Sequence, residues 1–112
     1  RDGTDQRDSG LGDPAFYAAR ALESAIKIIS DKKGWTHGKE NGAQNFIENL
    51  AKKTSNFVEP WEADALKCIF SKIRNPFGHG AGSAPMPSLS PQQTDWAIEA
   101  CMSWIKSLVL RL

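Results

Sequence analysis

The sequence predicts an all-α fold, an antiparallel up-and-down four-helix bundle. Three observations carry this. Apolar residues recur at three- and four-residue spacing in four separate segments. Proline and capping residues stand where three of those segments begin. No stretch alternates apolar and polar residues as a half-buried strand does, and no internal repeat is present.

The helices are expected at 14–32, 43–53, 60–75 and 91–110. Asp13 suits the N-cap of the first and Pro14 its first turn, where a missing N–H costs little. Phe16, Ala19, Leu22, Ile26 and Ile29 then mark one face. Lys32, Lys33 and Gly34 end it, the lysines near the negative end of the dipole and the glycine at the left-handed position. Residues 35–41 form a loop. The second helix is shorter and buries Phe46, Ile47 and Leu50. After a connection over 54–59, Pro60 opens the third, with Trp61, Leu66, Ile69, Phe70 and Ile73 as its buried face. It stops at Asn75, because Pro76 disfavours the helical conformation in the residue before it. Residues 78–89 are rich in glycine and proline and irregular. Ser90, Pro91 and Gln93 then write a capping box, and Ala97, Cys101, Trp104, Ile105 and Leu108 form the stripe of the last helix.

At 112 residues the chain is one domain with one ordinary core. Residues 1–12 are polar and read as a disordered linker or tail, leaving 13–112 as the helical domain. A start at Arg1 rather than methionine suggests a domain of a larger parent protein. A net charge of +1 excludes a globally cationic nucleic-acid binder but allows a local basic patch. No apolar run reaches membrane-spanning length, so no membrane partner is expected. Cys68 and Cys101, 33 residues apart, form neither a disulfide scaffold nor a zinc knuckle; a reducing, cytoplasmic setting fits. Both are expected as buried thiols on apolar helix faces. No metal site and no cofactor is expected. Four tryptophans and the apolar Val109 and Leu112 exceed what one small bundle covers, which points to a homodimer.

The most informative stretch is Arg74-Asn75-Pro76-Phe77-Gly78-His79. An arginine and a histidine stand five residues apart where a helix ends. Histidine can accept and donate a proton near neutral pH, whereas arginine keeps its charge and matches two phosphate oxygens. Cleavage of RNA by its own 2′-hydroxyl needs those services. Acid–base help is worth about 10²–10⁴ in rate, and a fixed donor onto developing charge roughly 3–4 kcal/mol. Asn75 would orient the phosphate or the histidine. The same residues also suit a plainer role, with Arg74 capping a helix and His79 solvated in a loop. Trp35 is the loop aromatic able to stack on a base, and Lys33 belongs to a set of lysines able to track a phosphate backbone. His37 reads as an exposed loop residue, and Glu23 pairs with Lys27 at i,i+4.

Arg74, Asn75 and His79 resemble the signature of the HEPN superfamily: an arginine, four to six intervening residues and a histidine, with a polar residue often directly after the arginine. Gly80 and the segment Leu22-Glu23-Ser24-Ala25-Ile26-Lys27 resemble the branch found as the C-terminal domain of abortive-infection proteins. The resemblance spans about 13–112. It implies a helical bundle that dimerises, bringing two Arg–His pairs into a metal-independent endoribonuclease site of toxin and anti-phage systems. On that reading Arg74, His79 and Asn75 are catalytic, and Gly78, Gly80, Trp35 and Lys33 are candidate substrate contacts. RNA, a second copy and other domains of the parent protein are the partners. Other members of the superfamily only bind, which makes a non-catalytic interaction or sensor module the alternative. The long loop after His79 departs from a tight active site.

Overall fold

The computed structural model describes residues 14–74 and 89–112. The expected tail over 1–12 lies outside them. Within them the chain is all-helical: α1 (Pro14–Lys32), α2 (Ala43–Ala51), α3 (Pro60–Ile69) continued by a π-helical turn (Phe70–Arg74), and α4 (Pro91–Leu110). No helix among the described residues is long and apolar enough to cross a membrane.

The first helix is the central element. It packs along α4, against α2, and against the π turn. Its predicted face is fully realised: Phe16, Ala19, Leu22, Ile26 and Ile29 are all buried. Ala19, Leu22, Ile26 and Ile29 meet Ile47 and Leu50 of α2, Leu66 and Ile69 of α3, Phe70 and Ile73 of the π turn, and Ala97, Cys101 and Leu108 of α4 in a single cluster. Each fully enclosed Leu, Ile or Phe contributes about 1.5–3 kcal/mol from apolar burial.

The helix ends follow the local rules. At the end of α1, Gly34 takes φ +76°. The Gly34 amide donates to the Asp31 carbonyl at 3.1 Å and the Trp35 amide to the Ser30 carbonyl at 2.8 Å. That is a Schellman closure, and the glycine carries its left-handed residue without strain. At the start of α4, the Gln93 amide donates to Ser90 Oγ at 3.1 Å and the Ser90 amide to Gln93 Oε1 at 2.9 Å, the predicted capping box.

Four expectations are corrected. Helix α2 ends at Ala51 rather than 53, because Lys52 turns extended and the amides of Phe57 and Val58 both donate to the Leu50 carbonyl. The third helix does not run regularly to its end; its last turn widens to π geometry from Phe70. Trp61 is 67% exposed, since the inward face of α3 is Glu62, Ala63, Leu66 and Ile69 and Trp61 stands one position off it. Cys68 is exposed, one residue off the same face, whereas Cys101 is buried as expected.

Candidate functional site

Both α3 and α4 lean on the core but leave a groove of about 600 Å³ between them. One wall is a stripe of α3 and its π turn, Ala65, Cys68, Lys72 and Ile73. The facing wall is a stripe of α4, Gln93, Trp96, Ala100 and Trp104. Both stripes follow helical spacing, so each wall is one face of one helix. Leu89, just before α4, also lines it.

The predicted arginine belongs to this neighbourhood by its backbone. Arg74 is the last residue of the π turn and directly follows Ile73, which lines the groove. The enclosed side chains of Phe70 and Ile73 anchor that turn against α1. π turns are rare in α-helices and are frequent at functional sites. Asn75, Gly78, His79 and Gly80 lie outside the described residues.

The other predicted residues are placed elsewhere. Trp35 is half-buried and packs edge-on against Phe57, with ring centroids 5.7 Å apart. Lys33 is exposed at the end of α1. Neither lines the groove. His37 is exposed, as predicted. Its Nδ1 accepts the Lys39 amide at 3.1 Å, and its Nε2 stands 3.4 Å from Glu40 Oε2. The Glu23–Lys27 pair forms at 3.3 Å.

The loop after α1 is organised by a buried carboxylate. Glu40 accepts the amides of His37 and Gly38, each at 2.9 Å, and Asn49 Nδ2 at 2.7 Å. Burial pushes its pKa up, and these donors more than offset that, bringing it down to about 2. All four donors and acceptors are absorbed in holding the loop, which gives this cluster a structural reading. Among the described residues no group of three or more His, Cys, Asp or Glu side chains gathers to hold a metal.

The groove itself is what the sequence reading missed. Its signal was present: Ala65, Cys68 and Lys72 step at three and four residues along α3, and Gln93, Trp96, Ala100 and Trp104 do so along α4. Trp96 is 57% exposed at the rim. Trp104 is half-buried, with the Arg111 guanidinium 6.0 Å from its ring centroid. The Gln93 carbonyl oxygen is engaged by the Ser90 amide, which leaves its Nε2 as the group available to a ligand.

Comparison with known proteins follows from this architecture. No curated protein and no solved structure matches the chain. The model of the Abi_C family, a HEPN-like domain, matches residues 15–110, from the first turn of α1 to the last of α4. The match takes in all four helices and the Arg74–His79 segment, and the chain belongs to this family of HEPN-like domains.

Proposed function

We propose that this domain is an endoribonuclease of the toxin or anti-phage type, acting as a homodimer on RNA. The family match over residues 15–110, with Arg74 at the end of α3 and His79 five residues on, is the observation that carries the reading. In the proposed reaction an imidazole of His79 takes the proton of a ribose 2′-hydroxyl. The 2′-oxygen attacks the adjacent phosphorus, and the bond to the 5′-oxygen breaks. The Arg74 guanidinium holds the charge that builds on the phosphoryl oxygens, a role its fixed charge and planar fork suit. A second imidazole, from the other copy, protonates the leaving oxygen. The products are a 2′,3′-cyclic phosphate and a 5′-hydroxyl. Asn75 orients the phosphate.

Incubation of the protein with single-stranded RNA in chelator tests this. The expected result is cleavage with cyclic-phosphate ends, abolished in His79→Ala and Arg74→Ala while both variants stay folded. Equal cleavage by those variants and wild type would remove the pair from the reaction.

A second reading, a non-catalytic interaction module, draws on a different observation. Ile28, Trp61, Trp96, Val109 and Leu110 are each more than half exposed, an unusual apolar load for so small a surface. That reading expects folded protein that cuts no RNA and binds a partner through those residues.

A further inference from the structure

We propose that the groove between α3 and α4 holds one unpaired base of a single-stranded RNA, stacked on Trp96, with a neighbouring phosphate on Lys72. The inference rests on the RNA reading above and names where the strand sits. The volume of about 600 Å³ lies within the range of small-ligand clefts and admits one nucleotide.

The side chains of the groove select the class of occupant. Its charged and polar side chains include two donors, the Lys72 ammonium and the Nε2 of Gln93, whose carbonyl oxygen is already engaged by the Ser90 amide. Among the described residues no carboxylate lines it. The rest of the lining is largely apolar, so a flat ring that carries an anionic group complements both parts of it, the ring against the apolar wall and the anion on the Lys72 ammonium. The aromatic lining adds a planar requirement. Trp104 has Arg111 near its ring, so the open stacking face belongs to Trp96 at the rim. An indole beside a lysine is the pairing used to bind unpaired bases without reading their sequence. Position completes the case. Lys72 and Ile73 line the groove and Arg74 follows them in the chain, so a base held here sets its own phosphate beside the end of the π turn.

The test measures binding apart from cleavage, using a 2′-O-methyl oligonucleotide that cannot undergo attack by its own hydroxyl. Tryptophan fluorescence follows titration of wild type, Trp96→Ala, Trp96→Phe and Lys72→Gln. Trp96 and Lys72 are exposed, and thermal unfolding checks that each variant keeps its fold. The expected result is a Kd raised about tenfold or more in Trp96→Ala and largely restored in Trp96→Phe. In Lys72→Gln the salt dependence should fall by about one phosphate contact. An abasic strand of equal length should bind as weakly to wild type as the base-bearing strand binds to Trp96→Ala. Equal affinity of Trp96→Ala and wild type overturns the proposal. So does equal binding of abasic and base-bearing strands, or a Trp96→Ala change confined to the oligomeric state. Wild type that binds as described but cuts no RNA overturns the catalytic reading alone.

Discussion

Arg111 and Glu62 are joined by two parallel hydrogen bonds, Nη1 to Oε1 at 2.9 Å and Nη2 to Oε2 at 2.6 Å. They lie 49 residues apart and tie the end of α4 to the start of α3. The same guanidinium donates to the Phe57 carbonyl at 3.2 Å and to Ser107 Oγ at 3.0 Å. Glu62 also accepts the Glu59 amide at 2.9 Å. One bidentate pair thus fixes two helix ends and the connection between α2 and α3, and it closes the bundle at the end of α4.

Removing the cation should be costly, because the Glu62 side chain is only 9% exposed and would keep its charge with one donor left. Arg111→Ala is expected to lose about 2–3 kcal/mol, read by denaturant unfolding. Arg111→Lys should recover only part of it, since an ammonium cannot make the fork. The hydrogen bonds from Arg111 hold the Glu62 carboxyl below the usual carboxylate range. A depressed carboxyl stabilises above its unfolded pKa and loses that contribution as pH falls through the folded value. The gap between wild type and Arg111→Ala should therefore be constant above about pH 5 and narrow on acidification.

Glu40 makes a parallel case in the first loop. Its folded pKa of about 2 means its contribution is complete above the unfolded value, about 4.3, and is lost between there and about 2. Thermal unfolding of wild type and Glu40→Gln from pH 7 to pH 2 should show a difference that persists to about pH 5 and vanishes near pH 2. A difference independent of pH would assign the effect to packing instead.

The two thiols should separate cleanly. Cys68 is exposed in the groove wall, and Cys101 is buried in the core, where burial pushes its thiol up to about 11. A chromogenic disulfide reagent should modify one thiol in the native protein and two after denaturation. Rapid modification of both in the native state would contradict the packing of α4 against α1.

Gly34 isolates a backbone effect from a packing one. A Cβ built there meets nothing within 4 Å, yet φ is +76°. Gly34→Ala should cost about 1–2 kcal/mol from the left-handed conformation alone. Leu22→Ala, at the centre of the cluster with no exposed surface, should cost about 2–5 kcal/mol.

Most of the bundle was legible because helix ends and faces are local properties. Pro14, Gly34 and the Ser90–Gln93 box mark boundaries through groups within a few residues of one another. The faces of α1 and α4 follow from spacing. What spacing could not give is what each face meets. Trp61 and Cys68 are apolar and near the inward stripe of α3, yet both stand on the flank that faces the groove or solvent. The groove exists because α4 and the π turn rest on α1 while α3 rests on α2, so α3 and α4 do not close on each other, a tertiary relation no single helix encodes. The Arg111–Glu62 pair depends in the same way on the ends of two helices meeting. Of the candidate site, the helix carrying Arg74 was readable, whereas the π turn that ends it was not.

Cleavage of a single-stranded RNA in chelator, compared between wild type, Arg74→Ala and His79→Ala at equal concentration, tests the central claim most directly. The account predicts cyclic-phosphate products from wild type and a loss of at least a hundredfold in each folded variant. Undiminished cleavage by either variant, or intact RNA with the wild-type protein, would contradict it.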